Sequence, residues 1–150
     1  MISIIDIQNS ITKKIDTRLN GEMPIIVEDT EGIFEEELIY VNVIPTYKDI
    51  TIQSADTKYI DIEIKYFNVD NKDRIYTMLN ILSDLFTRAI KVGDRYLNIN
   101  STNYGIIKDE VGLYLNYVIS CDYIESINLD EFIEETTDYM ENIEIDIKED

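Results

Sequence analysis

Apolar residues recur along this chain with two different periods, and the switches between them lay out its elements. Ile4, Ile7, Ile11, Ile15 and Leu19 stand three or four apart, the stripe of an amphipathic helix. Ser3, with Asp6 three residues on, forms a partial capping box at its start, and Asn20-Gly21 supplies its stop. Pro24 opens a short apolar run, residues 25–27, that predicts a strand. Residues 38–47 (LIYVNVIPTY) predict a second strand. Pro45 lacks the N–H a ladder needs, so it marks that strand's end or an edge. Residues 48–57 are polar and predict a long hairpin tip. Over residues 59–67 the period becomes two, with Ile60, Ile62, Ile64 and Tyr66 on one face and Asp61, Glu63 and Lys65 on the other. Such a strand belongs to a sheet covered on one side only.

Asp70 or Asn71 is placed to cap a second helix. Its apolar positions, from Ile75, Met78 and Leu79 through Leu82, Leu85 and Phe86 to Ala89 and Ile90, form a wide stripe that Val92-Gly93-Asp94 should end. Residues 96–107 and 111–123 predict an antiparallel hairpin joined through Lys108-Asp109-Glu110. After about residue 126 the character changes. Asn128 and Glu131 suggest a capped short helix over residues 129–140, with Leu129, Phe132, Ile133 and Met140 on one side. Ile143, Ile145 and Ile147 then alternate with Glu144, Asp146 and Lys148, a strand pattern.

The expected fold is α+β, a single domain whose mainly antiparallel sheet of four to five strands packs against two helices. Residues 1–125 make that domain, and residues 126–150 form an acidic helix-and-strand extension. At 150 residues the chain can bury roughly 70% of its unfolded surface. Eleven Tyr and a wealth of Ile favour pleated, half-buried surfaces.

Charge narrows the function classes. With 31 acids against 13 bases the net charge is −18, which repels phosphate backbones and anionic membranes. Residues 126–150 hold ten acids and one lysine, half of that net charge. Their bland reading is a solvated tail; the sharper one is a terminal strand, Ile143, Ile145 and Ile147, pairing with a neighbouring subunit. Residues 21–40 hold seven acids and no base. Within them Ile33-Phe34, followed by Glu35, either folds onto the core or acts as a contact loop. The one cysteine, Cys121, sits in an apolar run that predicts a buried, inert thiol and a reducing compartment. No basic, apolar leader pattern is read at the start, and no apolar run approaches the roughly 20 residues needed to span a bilayer. Synthesis and folding in the cytoplasm are therefore expected.

Catalytic equipment is sparse. The chain has no histidine, hence no triad base and none of the commonest transition-metal ligand. One cysteine cannot build a structural zinc site. None of the five glycines belongs to a phosphate-binding loop, and Gly93-Asp94-Arg95 reads as a helix stop. Glu35-Glu36-Glu37 and Glu134-Glu135 lack calcium-loop spacing and read as solvated faces. Neither an enzyme nor a cofactor is expected.

The strand ending in Tyr66-Phe67, the capped helix after it, the Gly93-Asp94-Arg95-Leu97 turn, and a hairpin with Asp109 before its return strand together resemble the tail terminator family of Gram-positive phages and phage-derived tail particles. The hairpin turn Lys-Asp-Glu-Val-Gly departs from that family's more usual Asp-Gly-Val. The likeness spans residues 1–125. It implies a homohexameric ring, in a virion or tail-like particle, that caps the head-proximal end of the tail tube. Such a ring touches the tube protein, a sheath where one exists, and the neck or head connector. Six copies would gather about 108 net negative charges, six times the −18 of one chain, so DNA would pass the lumen without specific binding. A ring needs two different patches per subunit. The candidates are Ile33, Phe34 and Glu35, the hairpin residues Asp49, Thr51 and Gln53, and the C-terminal isoleucines. Another neck or tail-completion protein is the nearest alternative, and an acidic DNA mimic the one from a different class.

Overall fold

In the computed structural model the chain is described over residues 1–27, 36–52, 54–68, 71–110 and 112–126. Helix α1 (Ile4–Arg18) begins where the sequence places it. The Ser3 hydroxyl accepts the Asp6 N–H, the Asp6 carboxylate accepts the Ser3 N–H in return, and the capping box is complete. Asn20 (φ 54) and Gly21 (φ 69) turn left-handed after it, a conformation that costs these two residue types least. Ile7, Ile11 and Ile15 are fully buried along one face.

Six strands form one mixed, curled sheet in the order β1-β2-β3-β6-β5-β4. They are β1 (Ile25–Ile26), β2 (Leu38–Ile52), β3 (Ala55–Phe67), β4 (Ala89–Val92), β5 (Arg95–Asp109) and β6 (Gly112–Ser126). The long strands β2, β3, β6 and β5 pair antiparallel, whereas β1 runs parallel to β2, with Ile25 opposite Ile39. Residues 48–57 are the far half of a long β2–β3 hairpin, strand nearly to its end. Pro45 lies inside β2, so of its two sequence readings the edge position holds.

Two corrections concern the second helix. Helix α2 (Lys72–Leu85) is capped by Asn71, whose side chain accepts the Asp73 and Arg74 N–H groups. The helix was expected to run on to Ile90, but it ends at Leu85, and Ala89–Val92 forms β4. Ile90 and Val92 fit a period of two as well as the helical stripe, and pairing with Leu97 and Arg95 decides between them. Gly93-Asp94 is consequently a two-residue hairpin turn and not a helix stop. Gly93 (φ 63) occupies the first central position, which a type II′ turn reserves for glycine. The hidden β4 is also why the sheet has six strands where four to five were expected.

Both helices cover one face of the sheet, α1 against β2 and β4, α2 against β6. Beneath them Ile39, Val41, Ile62, Ile64, Leu115 and Ile119 are fully buried, each such side chain stabilising by about 1.5–3 kcal/mol relative to exposure. The face with Asp61, Glu63 and Lys65 has no helix over it among the described residues, as the alternation predicted, and these side chains are half-buried. The C-terminal helix and strand expected over residues 129–147, and Asp70 as a cap, lie outside the described residues.

Candidate assembly surface

The two margins of the sheet differ in what they offer a partner. Their geometry follows from one hydrogen bond. The Ile39 N–H donates to the Pro24 carbonyl, 2.9 Å away, so the odd residues of this part of β2 turn their peptide groups outward toward β1. Antiparallel pairing alternates inward and outward groups. Carried through the register from Tyr40↔Lys65 to Ile64↔Tyr117 and Asn116↔Gly105, it turns Thr102, Tyr104 and Ile106 of β5 outward, away from β6.

The β2 margin is guarded. Strand β1 covers Ile39 and Tyr40. The Gln8 side-chain amide, reaching over from α1, donates to the outward carbonyl of Val41 at 3.3 Å. Pro45 holds the next outward position but one, where its missing N–H faces away from the ladder, and a register shift between Pro45 and Tyr47 bends the strand. Proline, a bulge and a covering element are the devices by which sheet edges avoid unwanted pairing.

The β5 margin has such devices only at its start, where β4 covers it and a register shift falls between Ile99 and Ser101. Strand β4 pairs with β5 only as far as Asn98, and the Ile99 N–H still reaches the Arg88 carbonyl. Among the described residues no strand pairs with that side of β5 from Asn100 to Ile107. Residues 96–107 carry no charged side chain and no proline, in a chain of which 29% is charged. Tyr104 is 57% exposed, with its ring stacked on Tyr117 at 6.0 Å and nearly parallel, which stiffens the strand in place.

At the far end of the β2–β3 hairpin the apolar residues also face solvent. Tyr47, Ile50, Ile52 and Ile124 are all more than half exposed. Sequence reasoning chose Asp49, Thr51 and Gln53 from this hairpin; Asp49 is exposed there, Thr51 lies in the same strand, and Gln53 is outside the described residues. The alternation of Ile50 and Ile52 was the available signal for the apolar contacts, and the polar composition around them masked it. The uncharged run at residues 96–107 was equally legible but was absorbed into a hairpin prediction. Ile33, Phe34, Glu35, Ile143, Ile145 and Ile147 fall outside the described residues. Glu37, at the end of the acidic run, is structural. It accepts from the Tyr66 hydroxyl at 3.1 Å and pairs with Arg74 at 2.8 Å, tying the start of β2 to α2.

Below the hairpin a charged knot fixes the sheet to α1. Glu125, buried in β6, pairs with Lys58 and accepts the Ile2 N–H at 3.1 Å. Burial alone would raise its carboxyl pKa, but Lys58 and the Ile2 amide together outweigh that and hold it below the ordinary value. Lys58 is raised in turn, chiefly by its bond to Glu125. On the helix-free face Ser120 donates to Asp61 at 2.8 Å, and the Lys65 ammonium lies 5.8 Å from the Tyr40 ring and 6.0 Å from that of Tyr114. These contacts brace the sheet from within the chain. Burial, then the nearby Asp122 and Asp61 carboxylates, push the Cys121 thiol up to about 12, so it stays protonated and unreactive at neutral pH. Among the described residues no three His, Cys, Asp or Glu side chains are grouped to hold a metal ion, and no helix is long and apolar enough to cross a membrane.

No curated protein matches the chain. Among the solved structures that match, one aligns over 81% of this chain and 96% of its own length, with 12% identity and a TM-score of 0.45, and at that score it adds nothing to the assignment. The family model described as phage tail terminator protein matches residues 6–133, which takes in α1 from Asp6 onward, α2, all six strands and both sheet margins. The chain therefore belongs to the phage tail terminator family, a structural component of the tail.

Proposed function

We propose that six copies of this chain close into a ring on the head-proximal end of the tail tube, stop its polymerisation and present the surface to which the neck or head connector attaches. The open, uncharged margin of β5 carries this reading. An exposed edge of that length is a template for adding a strand, and in a tail protein a second copy is the partner always at hand. A ring is built from head-to-tail contacts between two different patches. The β5 margin supplies one, and the exposed outer part of β2 beyond the Pro45 bulge supplies the other.

The two patches lie on opposite margins and at opposite ends of the sheet. The free part of β5 pairs with the start of β6, while the free part of β2 lies toward the end of β6. Joining them staggers neighbouring sheets, and a closed ring absorbs such stagger as a tilt of the strands to its axis. Residues 1–125 form the ring-building unit and residues 126–150 an extension of it. Tube protein and connector, with sheath in a contractile tail, are the outside partners. The acidity lets DNA pass without sticking.

Deleting the gene tests the function. Tails of uncontrolled length are the expected result; tails of normal length that still acquire heads would sink the reading. Tails of normal length that lack heads would assign the chain to neck completion instead. Rings of purified protein, seen by electron microscopy, test the interface separately.

A further inference from the structure

Where the second half of α1 meets the end of α2 and β4, a groove of about 720 Å³ opens. Lys13, Lys14, Thr17 and Arg18 line it from α1, with Leu85 and Lys91 opposite, and no carboxylate lines it. Four of the 13 bases of a chain with 31 acids thus face one cleft. The ion pairs among the described residues use Lys48, Lys58, Lys65 and Arg74, none of them in the groove. Lys14 is held over the ring of the buried Phe86 at 5.4 Å. Like charges gathered without counter-charge repel one another, and a cleft of one sign concentrates ligands of the other.

We infer that this groove seats the acidic C-terminal segment of the same chain, residues 127–150. That segment carries ten acids and one lysine. Glu131, Glu134, Glu135 and Asp138 recur at spacings of three and one, the period of one helical face, and Leu129, Phe132, Ile133 and Met140 occupy the opposite one. Lys13, Lys14, Thr17 and Arg18 follow the same period along α1. An acidic stripe matches a basic one.

Reach favours the same chain. Ser126 follows Glu125, which holds the Ile2 N–H at the start of α1. From Ser3 to Thr17 the helix advances about 21 Å, while 24 residues extend to roughly 80 Å. The inference stands on charge and reach and does not depend on ring formation.

Full-length protein, half of it isotopically heavy, would be treated with a carbodiimide at low concentration and its cross-links mapped by mass spectrometry. Links from Lys13, Lys14 or Lys91 to Glu131, Glu134, Glu135 or Asp138 within one chain are expected. The pair Lys13→Glu and Arg18→Glu should cut their yield roughly tenfold, the loss of two exposed pairs. If that variant misfolds by circular dichroism, raising salt on the native protein to 0.5 M, where screening is on the order of 4 Å, should weaken the links instead. Links between light and heavy chains, or links spread evenly over Lys48 and Lys108, would overturn the inference. So would binding of a labelled DNA duplex that depends on Lys13 and Arg18.

Discussion

The two margins of this sheet began with the same problem, a row of unpaired peptide groups, and met it in opposite ways. Along β2 a short parallel strand, the Gln8 amide, Pro45 and a bulge each remove or cover part of the edge. Along β5, from Asn100 to Ile107, no described strand covers the edge, and no charge or proline interrupts it. Both margins belong to one sheet with one continuous core, so the difference is not a matter of stability. It marks the stretch of edge the subunit keeps to itself, β2 up to Pro45, and the stretch of β5 it holds ready for a partner.

The contrast can be broken most severely from the shared core. Ile62→Ala empties a fully buried site in β3 between the margins and should cost about 2–5 kcal/mol in urea unfolding, disabling both edges together. A loss near zero would mean the sheet is not the common platform. Next in size is Thr102→Pro, which deletes an outward donor of β5 without breaking a bond to β6. It should weaken association by roughly tenfold or more, about 1.4 kcal/mol, while circular dichroism of the monomer is kept. Native mass spectrometry reads both, and undiminished oligomers would place the interface elsewhere.

A smaller effect separates the hairpin end from the rest. The Glu125 pKa is depressed in the fold, so its contribution is present above the unfolded value and lost as pH falls through the lower folded one. Native protein should therefore lose stability below about pH 4.3 more steeply than Glu125→Gln, in paired thermal melts. Parallel curves would show that the Lys58 pair contributes nothing. Smallest is Pro45→Ala, which restores the missing donor on the guarded margin. It should leave the fold within about 0.5 kcal/mol and raise concentration-dependent light scattering. No change in scattering would show that Gln8 and the bulge already suffice.

Much of this was legible beforehand, for reasons that can be named. The Ser3 box, the stripe of α1, the Asn71 cap and the alternation of β3 are local patterns, decided by residues a few positions apart. The burial of Cys121 followed from its apolar neighbours. Ile90 and Val92 were misread because a short apolar run satisfies both periods, and only pairing with β5 chooses the strand. Glu37 was taken for solvated because its partners, Tyr66 and Arg74, are far away in sequence.

Local chemistry by itself thus settled the helices' starts, the faces of the strands, the absence of histidine and metal-loop motifs, and the excess of negative charge. Which strands neighbour one another, and therefore which edges stay open, was settled only in three dimensions. So was the basic groove, assembled from α1, α2 and β4. The physical reason is the same for both: an edge or a cleft is made by segments many residues apart, and its character is set by which of them the fold brings together.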